Sequence, residues 1–248
     1  VRVSRLLAKG KRIEKLLLAE GEEVTARTYV LATGGLSYPA TGSTGDGFRW
    51  LRRIGHTIIE PRPSLVPLKI KEEWPKRIQG LSLRNIELKG YQAGKIKIRR
   101  LGEMVFCHFG ISGPIVLDMS KNILEFLQKG EVKLHLDLKP GLSFEQLDKR
   151  LKRDFEKYRN RAFKNCLGDL LPKKIIPVVV EMSGIRLDKK ACEITRKERH
   201  VLAMLLKAME MSVEGSVGFG GAIVTSGGVS LKEIDAKTMC SKIIENLY

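Results

Sequence analysis

Apolar and polar residues alternate over RIEKLLLA (12 to 19) and over EEVTARTYVLAT (22 to 33), with Glu20-Gly21 between them. A period of two on either side of a turn predicts paired strands. The second run closes on Val30, Leu31 and Ala32, an apolar stretch of the kind a sheet buries on both faces, and Thr33-Gly34-Gly35 breaks it. After the loop SYPATGSTGDG (37 to 47), Phe48, Leu51 and Ile54 recur at helical spacing. Gly55 stands where a helix C-terminal cap is expected, and Thr44 or Asp46 at the N-terminal cap.

Pro61, Pro63 and Pro67 exclude helix from the next stretch and place a domain crossing near residues 58 to 68. SLRNIELKGYQ and AGKIKIRRLGEMVF then alternate again, predicting antiparallel strands of a half-exposed sheet. HFGISGPIVLDMSK (108 to 121) reads as a turn opening a short helix, with Pro114 at its first position. EVKLHLDLKP (131 to 140) is a further strand. From Ser143 the period lengthens: Phe144, Leu147, Leu151, Phe155 and Tyr158 form one apolar stripe with a basic opposite face. Helical patterns continue to about residue 211, with breaks expected at Pro172, Pro177 and Gly184. SVEGSVGFGGAIVTSGGVSL returns to strand and glycine turns, and Asn246-Leu247-Tyr248 reads as part of another strand.

This order predicts an α/β fold interrupted by an α+β insertion. Residues 1–62 and 222–248 form the α/β part; 63–140, with a return strand at 211–221, form a β-rich domain carrying a helical subdomain at 141–210. No apolar run approaches the roughly 20 residues that cross a bilayer, and VRVSRLLAKG lacks the apolar core of a signal peptide. Cys107, Cys166, Cys192 and Cys240 are far apart with no CxxC, and the four histidines are scattered. A reduced, cytoplasmic protein without a metal site is the expectation.

The charge is less ordinary: 45 Lys+Arg against 28 Asp+Glu leave +17. Such a field attracts polyanions, so a basic, non-enzymatic nucleic-acid-binding or interaction module is the alternative function. Against nucleic acid as a partner, the basic residues mostly recur on segments whose other face is apolar, as solvated faces do. Aromatic residues make up only 6% of the chain, and no RNA-recognition motif accompanies the charge.

Candidate chemistry lies in two groups of glycines: Ala32-Thr33-Gly34-Gly35 with GSTGDG (42 to 47), and Thr225-Ser226-Gly227-Gly228-Val229. Glycine lets a backbone approach a planar ring or phosphate, and small residues ending a strand are where open α/β sheets bind ligands. YVLATGGLSYPATGSTGDGFRWLRRIGHTI (29 to 58), PSLVPL, GEMVFCHFGISGPIVLDMS (102 to 120) and AIVTSGGVSLKEIDAKTMCSK (222 to 242) together resemble the BaiN-like (YhiN-like) flavoproteins, the NAD(P)/FAD-dependent oxidoreductases of the aminoacetone oxidase family.

The resemblance implies a Rossmann-like FAD-binding domain, present in part, that flanks the β-rich and helical insertion. By it, Ala32, Thr33, Gly34 and Gly35 match the second FAD-contacting motif, and Thr44, Gly45, Asp46 and Gly47 the loop near the flavin. Thr225, Ser226, Gly227, Gly228 and Val229 match the segment that re-enters the flavin domain. It also implies FAD as cofactor, NAD(P)H as co-substrate, and a small-molecule substrate such as an enone-like steroid or a small amine. Family members open with a GxGxxG pyrophosphate loop and close with a further flavin motif, and neither is in this sequence. The chain is therefore expected to be the middle of a longer oxidoreductase, with the substrate-covering domain, holding FAD weakly or not at all by itself. Catalytic side chains stay unassigned. Cys107 is expected to pack, His108 to be buried on a backbone bond, and Tyr38 and Asp46 are weak proton-donor candidates.

Overall fold

A computed structural model describes all 248 residues. In chain order the elements are β1 (Val3–Lys9), β2 (Arg12–Leu18), β3 (Glu23–Val24), α1 (Asp46–Arg53), β4 (Ile58–Ser64), β5 (Leu68–Ile70), α2 (Trp74–Arg77), β6 (Ser82–Gln92), β7 (Lys95–Cys107) and β8 (Gly110–Ser112). There follow α3 (Pro114–Leu127), β9 (Lys133–Asp137), α4 (Phe144–Lys157), α5 (Ile176–Ser183), α6 (Arg196–Lys207), β10 (Met209–Ser216) and β11 (Val224–Val229). The protein is thus mixed α/β with several sheets and six α-helices. None of the helices is long and apolar enough to cross a membrane. Contacts divide the chain into two compact units, Val1–Val66 with Gly218–Tyr248, and Pro67–Val217.

In the first unit β1, β2 and β3 form an antiparallel sheet, and β4 pairs antiparallel with β11. Leu6, Ile13, Tyr29, Trp50, Leu51, Ile244 and Leu247 form its buried core. The strand expected over residues 22 to 33 is cut to Glu23–Val24. The Tyr29 hydroxyl accepts from the Ala26 amide at 2.9 Å and donates to the Glu14 carbonyl at 3.1 Å, holding 26 to 29 in a bend. Beyond it the backbone has one neighbour, a parallel bridge from Tyr29 to Leu247, with the Leu31 amide on the Tyr248 carbonyl at 2.7 Å. The run expected to be buried on both faces is open: Val30 is 75% exposed and Leu31 half-buried.

The second unit holds a closed barrel in the order β10-β5-β8-β7-β6-β9. Alternation along the strands was legible as a sheet with one apolar face, and closure turns that face inward. Leu88, Met104, Phe106, Leu134, Leu136, Met209 and Met211 are all buried. Closure needs a close approach at Gly110, where a Cβ would lie 2.5 Å from the Leu68 carbonyl oxygen and 2.8 Å from the Ile70 nitrogen. The helical pattern overruns its true end: Met209 and Met211 belong to β10, bonded to β9 on one side and β5 on the other. The β9 backbone opposite Met209 to Ser212 decides for strand where side-chain period alone does not.

Pro114 starts α3 as expected. Pro177 also sits in a first turn, that of α5, and so begins a helix instead of breaking one. Ser143 and Thr195 close capping boxes with Gln146 and Glu198 at the starts of α4 and α6. The α4 stripe packs inward, with Leu147 and Leu151 at 0% exposure and Phe155 at 5%. A two-point ion pair, Arg199 to Asp148 at 2.7 and 3.2 Å, ties α6 to α4.

Candidate flavin-contacting loops

All the glycine-rich candidates fall in the first unit, and the chain brings their three segments together. Thr225, at the start of β11, is the hub. Its Oγ1 accepts from the Leu36 amide at 2.8 Å and the Ser37 amide at 3.0 Å, and lies 3.0 Å from the Ser37 hydroxyl. A Cβ on Gly35 would lie 2.6 Å from the same Oγ1, so the loop of Ala32 to Leu36 sits directly on β11. Gly47 receives the Thr33 hydroxyl where a Cβ would stand, and Gly34 packs on Ser43 and Gly45 on Leu36. Gly228 lies against the Phe48 ring, and Gly227 against the Glu60 carbonyl across the β4–β11 pair.

Within this cluster Gly45, Gly47 and Gly228 are buried, Thr33, Gly35, Asp46, Thr225, Ser226 and Val229 half-buried, and Ala32, Gly34, Thr44 and Gly227 exposed. Val229 turns away from the loops toward the apolar core, and Ser226 pairs with Arg62 along the sheet.

The α1 cap differs from both expected alternatives. Gly45 is the N-cap, with a left-handed φ of 74°, and no side chain caps the helix. Asp46 is instead the first helical residue; its carboxylate accepts from the Thr44 hydroxyl at 2.9 Å and pairs with Arg49 and, at 3.9 Å, Arg2. A carboxylate in the first turn is favoured by the helix dipole. It also opposes any phosphate at that end.

The amides of Gly34, Gly35, Asp46, Gly47 and Phe48 donate to no acceptor in the protein, the last three because a helix leaves its first-turn N–H groups unbonded. A cavity of about 600 Å³ lies alongside, lined by residues including Val3, Leu6, Val30, Leu31 and Trp50, and reaching Ala32, Thr33 and Asp46. The donor set fits the polar edge of a flavin ring. It fits a pyrophosphate less well, since the Asp46 carboxylate, paired with Arg49 and Arg2, stands at that helix end.

The tentative side chains fare differently. Tyr38 is 48% exposed and, unusually for a tyrosine, has a positive φ of 54°. His108, expected to be buried on a backbone bond, is exposed and packs edge-on against Phe109 at 4.8 Å. Cys107 is half-buried, and burial pushes its thiol pKa up, away from the thiolate that redox chemistry uses. Sequence reading missed Thr225 as a hub and Ser43, Leu36 and Phe48 as glycine partners. Of these partners only Thr225 and Ser43 are small, so side-chain size gave no common signal for them.

The family described as the HI0933-like protein barrel and H2TH domain matches residues 62–224. A 3-dehydro-bile acid delta(4,6)-reductase of Clostridium scindens is 30% identical over 96% of this chain and 60% of its own length. Ribosomal RNA dihydrouridine synthases of Haemophilus influenzae and Escherichia coli are 31% and 26% identical, over 96% and 92% of this chain and 56% and 54% of theirs. The chain therefore spans between about half and three fifths of the length of the curated relatives it matches. With the barrel, the helices packed on it and the glycine-rich motifs in agreement, the chain belongs to the HI0933-like family, the BaiN-like group its motifs resemble.

Proposed function

We propose that this chain is part of an FAD-dependent reductase, in which the first unit is the remaining part of a Rossmann-like flavin domain and the barrel unit is its substrate-covering insertion. The observation that carries this reading is the convergence of residues 33–36, 45–48 and 225–228, which leaves backbone amides, those of Gly34, Gly35 and the first turn of α1 among them, without a protein acceptor. When bound, FAD supplies a two-electron carrier that accepts hydride from NAD(P)H and delivers it to a substrate.

The chain's own residues bind and orient. The Gly34 and Gly35 amides and the α1 N-terminus offer donors to the ring's carbonyl and nitrogen edge, where added hydrogen bonds favour the reduced, more electron-rich form. Thr225 holds the Leu36 and Ser37 amides and so fixes the loop that presents Gly34 and Gly35. Asp46 places a carboxylate at the α1 end, where it disfavours phosphate relative to a neutral ring edge.

The names of the three relatives describe addition of hydrogen across a conjugated C=C bond, in a steroid ring or a uracil, which supports reduction over oxidation of an amine. Between those two acceptors the net charge of +17 favours the polyanion, RNA. Titration of FAD into this chain and into a form extended to its relatives' full length, followed by flavin fluorescence, tests the reading. The longer form is expected to bind FAD and to lose its visible flavin absorbance on anaerobic addition of NAD(P)H. Failure of the longer form to bind FAD overturns it.

A further inference from the structure

The outer wall of the barrel carries a surface that the flavin reading does not use. On β6 and β9 the residues facing away from the buried core include Lys89, Tyr91, Lys133 and His135. The register sets Lys89 opposite His135, Tyr91 opposite Lys133, and Arg99 of β7 opposite Lys89. The Tyr91 and His135 rings are stacked, with centroids 4.3 Å apart and planes inclined by 31°.

Beside this ring pair lies a cavity of about 590 Å³, walled by the β6–β7 turn and by the Lys129-Gly130 turn that leads into β9. Gln92 ties the two turns together, its Nε2 donating to the Phe126 carbonyl at 2.6 Å and the Gly130 carbonyl at 3.3 Å. A volume of this order is that of a ligand site.

Charge surrounds the rings on all sides. Glu87 pairs with Lys89 at 2.9 Å, and Glu210 with Lys133 at 2.7 Å and His135 at 3.3 Å. Glu131 is drawn off to Lys71 at 3.4 Å, and Lys129 and Arg99 are exposed with no carboxylate partner. The wall is thus an extended sheet face with one aromatic platform, a preformed pocket and surplus cations. That combination recognises single-stranded nucleic acid: bases stack on the rings while cations track the backbone.

We propose that this wall binds single-stranded RNA, with a base stacked against the Tyr91–His135 pair and neighbouring phosphates held by Lys129 and Arg99. The choice of RNA as ligand rests on the RNA arm of the reading above; the surface itself is independent of flavin. It reverses the expectation that the basic stretch of β7 is only a solvated face.

The test is fluorescence anisotropy of this chain with a labelled single-stranded oligouridylate of about 12 nucleotides, a length one such platform spans. Affinity is expected to fall steeply with salt. Tyr91→Ala weakens binding by about tenfold or more, in line with the loss of one base stack, while Tyr91→Phe stays within about twofold of wild type. Lys129→Ala weakens binding more than Lys149→Ala, an equal charge loss on exposed α4. His135→Ala serves in place of Tyr91→Ala should the latter melt early. No binding by the wild type, unchanged binding by both ring variants, or equal losses at Lys129 and Lys149 overturns the proposal. Oligouridylate binding needs no flavin, so failure here leaves the FAD titration to stand or fall alone.

Discussion

The Ser241 hydroxyl lies 3.0 Å from Nε2 of His56. Ser241 Oγ also accepts from the Ile243 amide at 3.1 Å and the Ile244 amide at 2.8 Å, so its own hydrogen is directed at the imidazole. That leaves Nδ1 protonated and donating to Glu233 at 3.1 Å. A serine, a histidine and a carboxylate in this order suggest a hydrolytic triad. Here both lone pairs of the serine are taken and the His56 side chain is wholly buried. The chain of bonds is a structural clamp from the end of α1 to the C-terminal loop.

Ser241→Ala strands two amides and one imidazole nitrogen, so it should lower the stability of the first unit by about 1–3 kcal/mol. Urea denaturation followed by Trp50 fluorescence measures this. A variant as stable as wild type would show that the clamp carries no weight.

Thr225 is the equivalent hub of the candidate flavin-contacting loops. Thr225→Val keeps the volume and removes the acceptor, leaving the Leu36 and Ser37 amides unpaired at a cost of about 1–3 kcal/mol. In the full-length form it should weaken FAD binding, while Thr225→Ser, which keeps the oxygen, retains it. Gly35→Ala pushes a methyl into the same contact and should act in the same direction. Equal FAD affinity in all three variants would detach the hub from the cofactor.

Much of this was legible beforehand, and the limits are instructive. Local rules found the α4 stripe, Pro114 at the start of α3 and Gly55 after α1, because each depends on residues within a turn of one another. Barrel closure, the open Val30 and the strand at Met209 were not visible, because each depends on a backbone partner far away in sequence. The glycine clusters could be located from sequence. Their mutual packing, Gly47 on Thr33 and Gly35 on Thr225, required the fold.

Glu198 gives a pH signature. Lys189, at 2.7 and 2.8 Å, and then the Thr195 amide hold its carboxyl down to about 2, against an ordinary 4.5. A depressed carboxyl contributes its full stability above the ordinary value and loses it as pH falls toward the folded one. The melting-temperature gap between wild type and Glu198→Gln should be constant near neutrality and shrink between pH 4.5 and about 2. A gap that does not change with pH would exclude the ion pair as its cause.

Gly110→Ala places a methyl against the Leu68 carbonyl at a position where φ is 148°, near the edge of the left-handed range. The second unit should lose about 2 kcal/mol or more. Circular dichroism melts of the variant resolve this.

Thiol chemistry should follow burial. Cys192 is exposed, while Cys107 and Cys166 have their thiol pKa values pushed up by burial. Alkylation of the native protein, read by peptide mass spectrometry, should mark Cys192 first and leave Cys166 until unfolding. Early labelling of Cys107 would reopen a redox role for it.

The barrel's first strand, β5, is hydrogen-bonded to its last, β10, and between them lie nearly all the residues of the second unit. A ribosome must release that whole stretch before the ring can shut. Until then β5 and β9 each present a bare edge, the kind that recruits foreign strands. Closure of this unit therefore waits for β10, and its slow step is the joining of its own two ends.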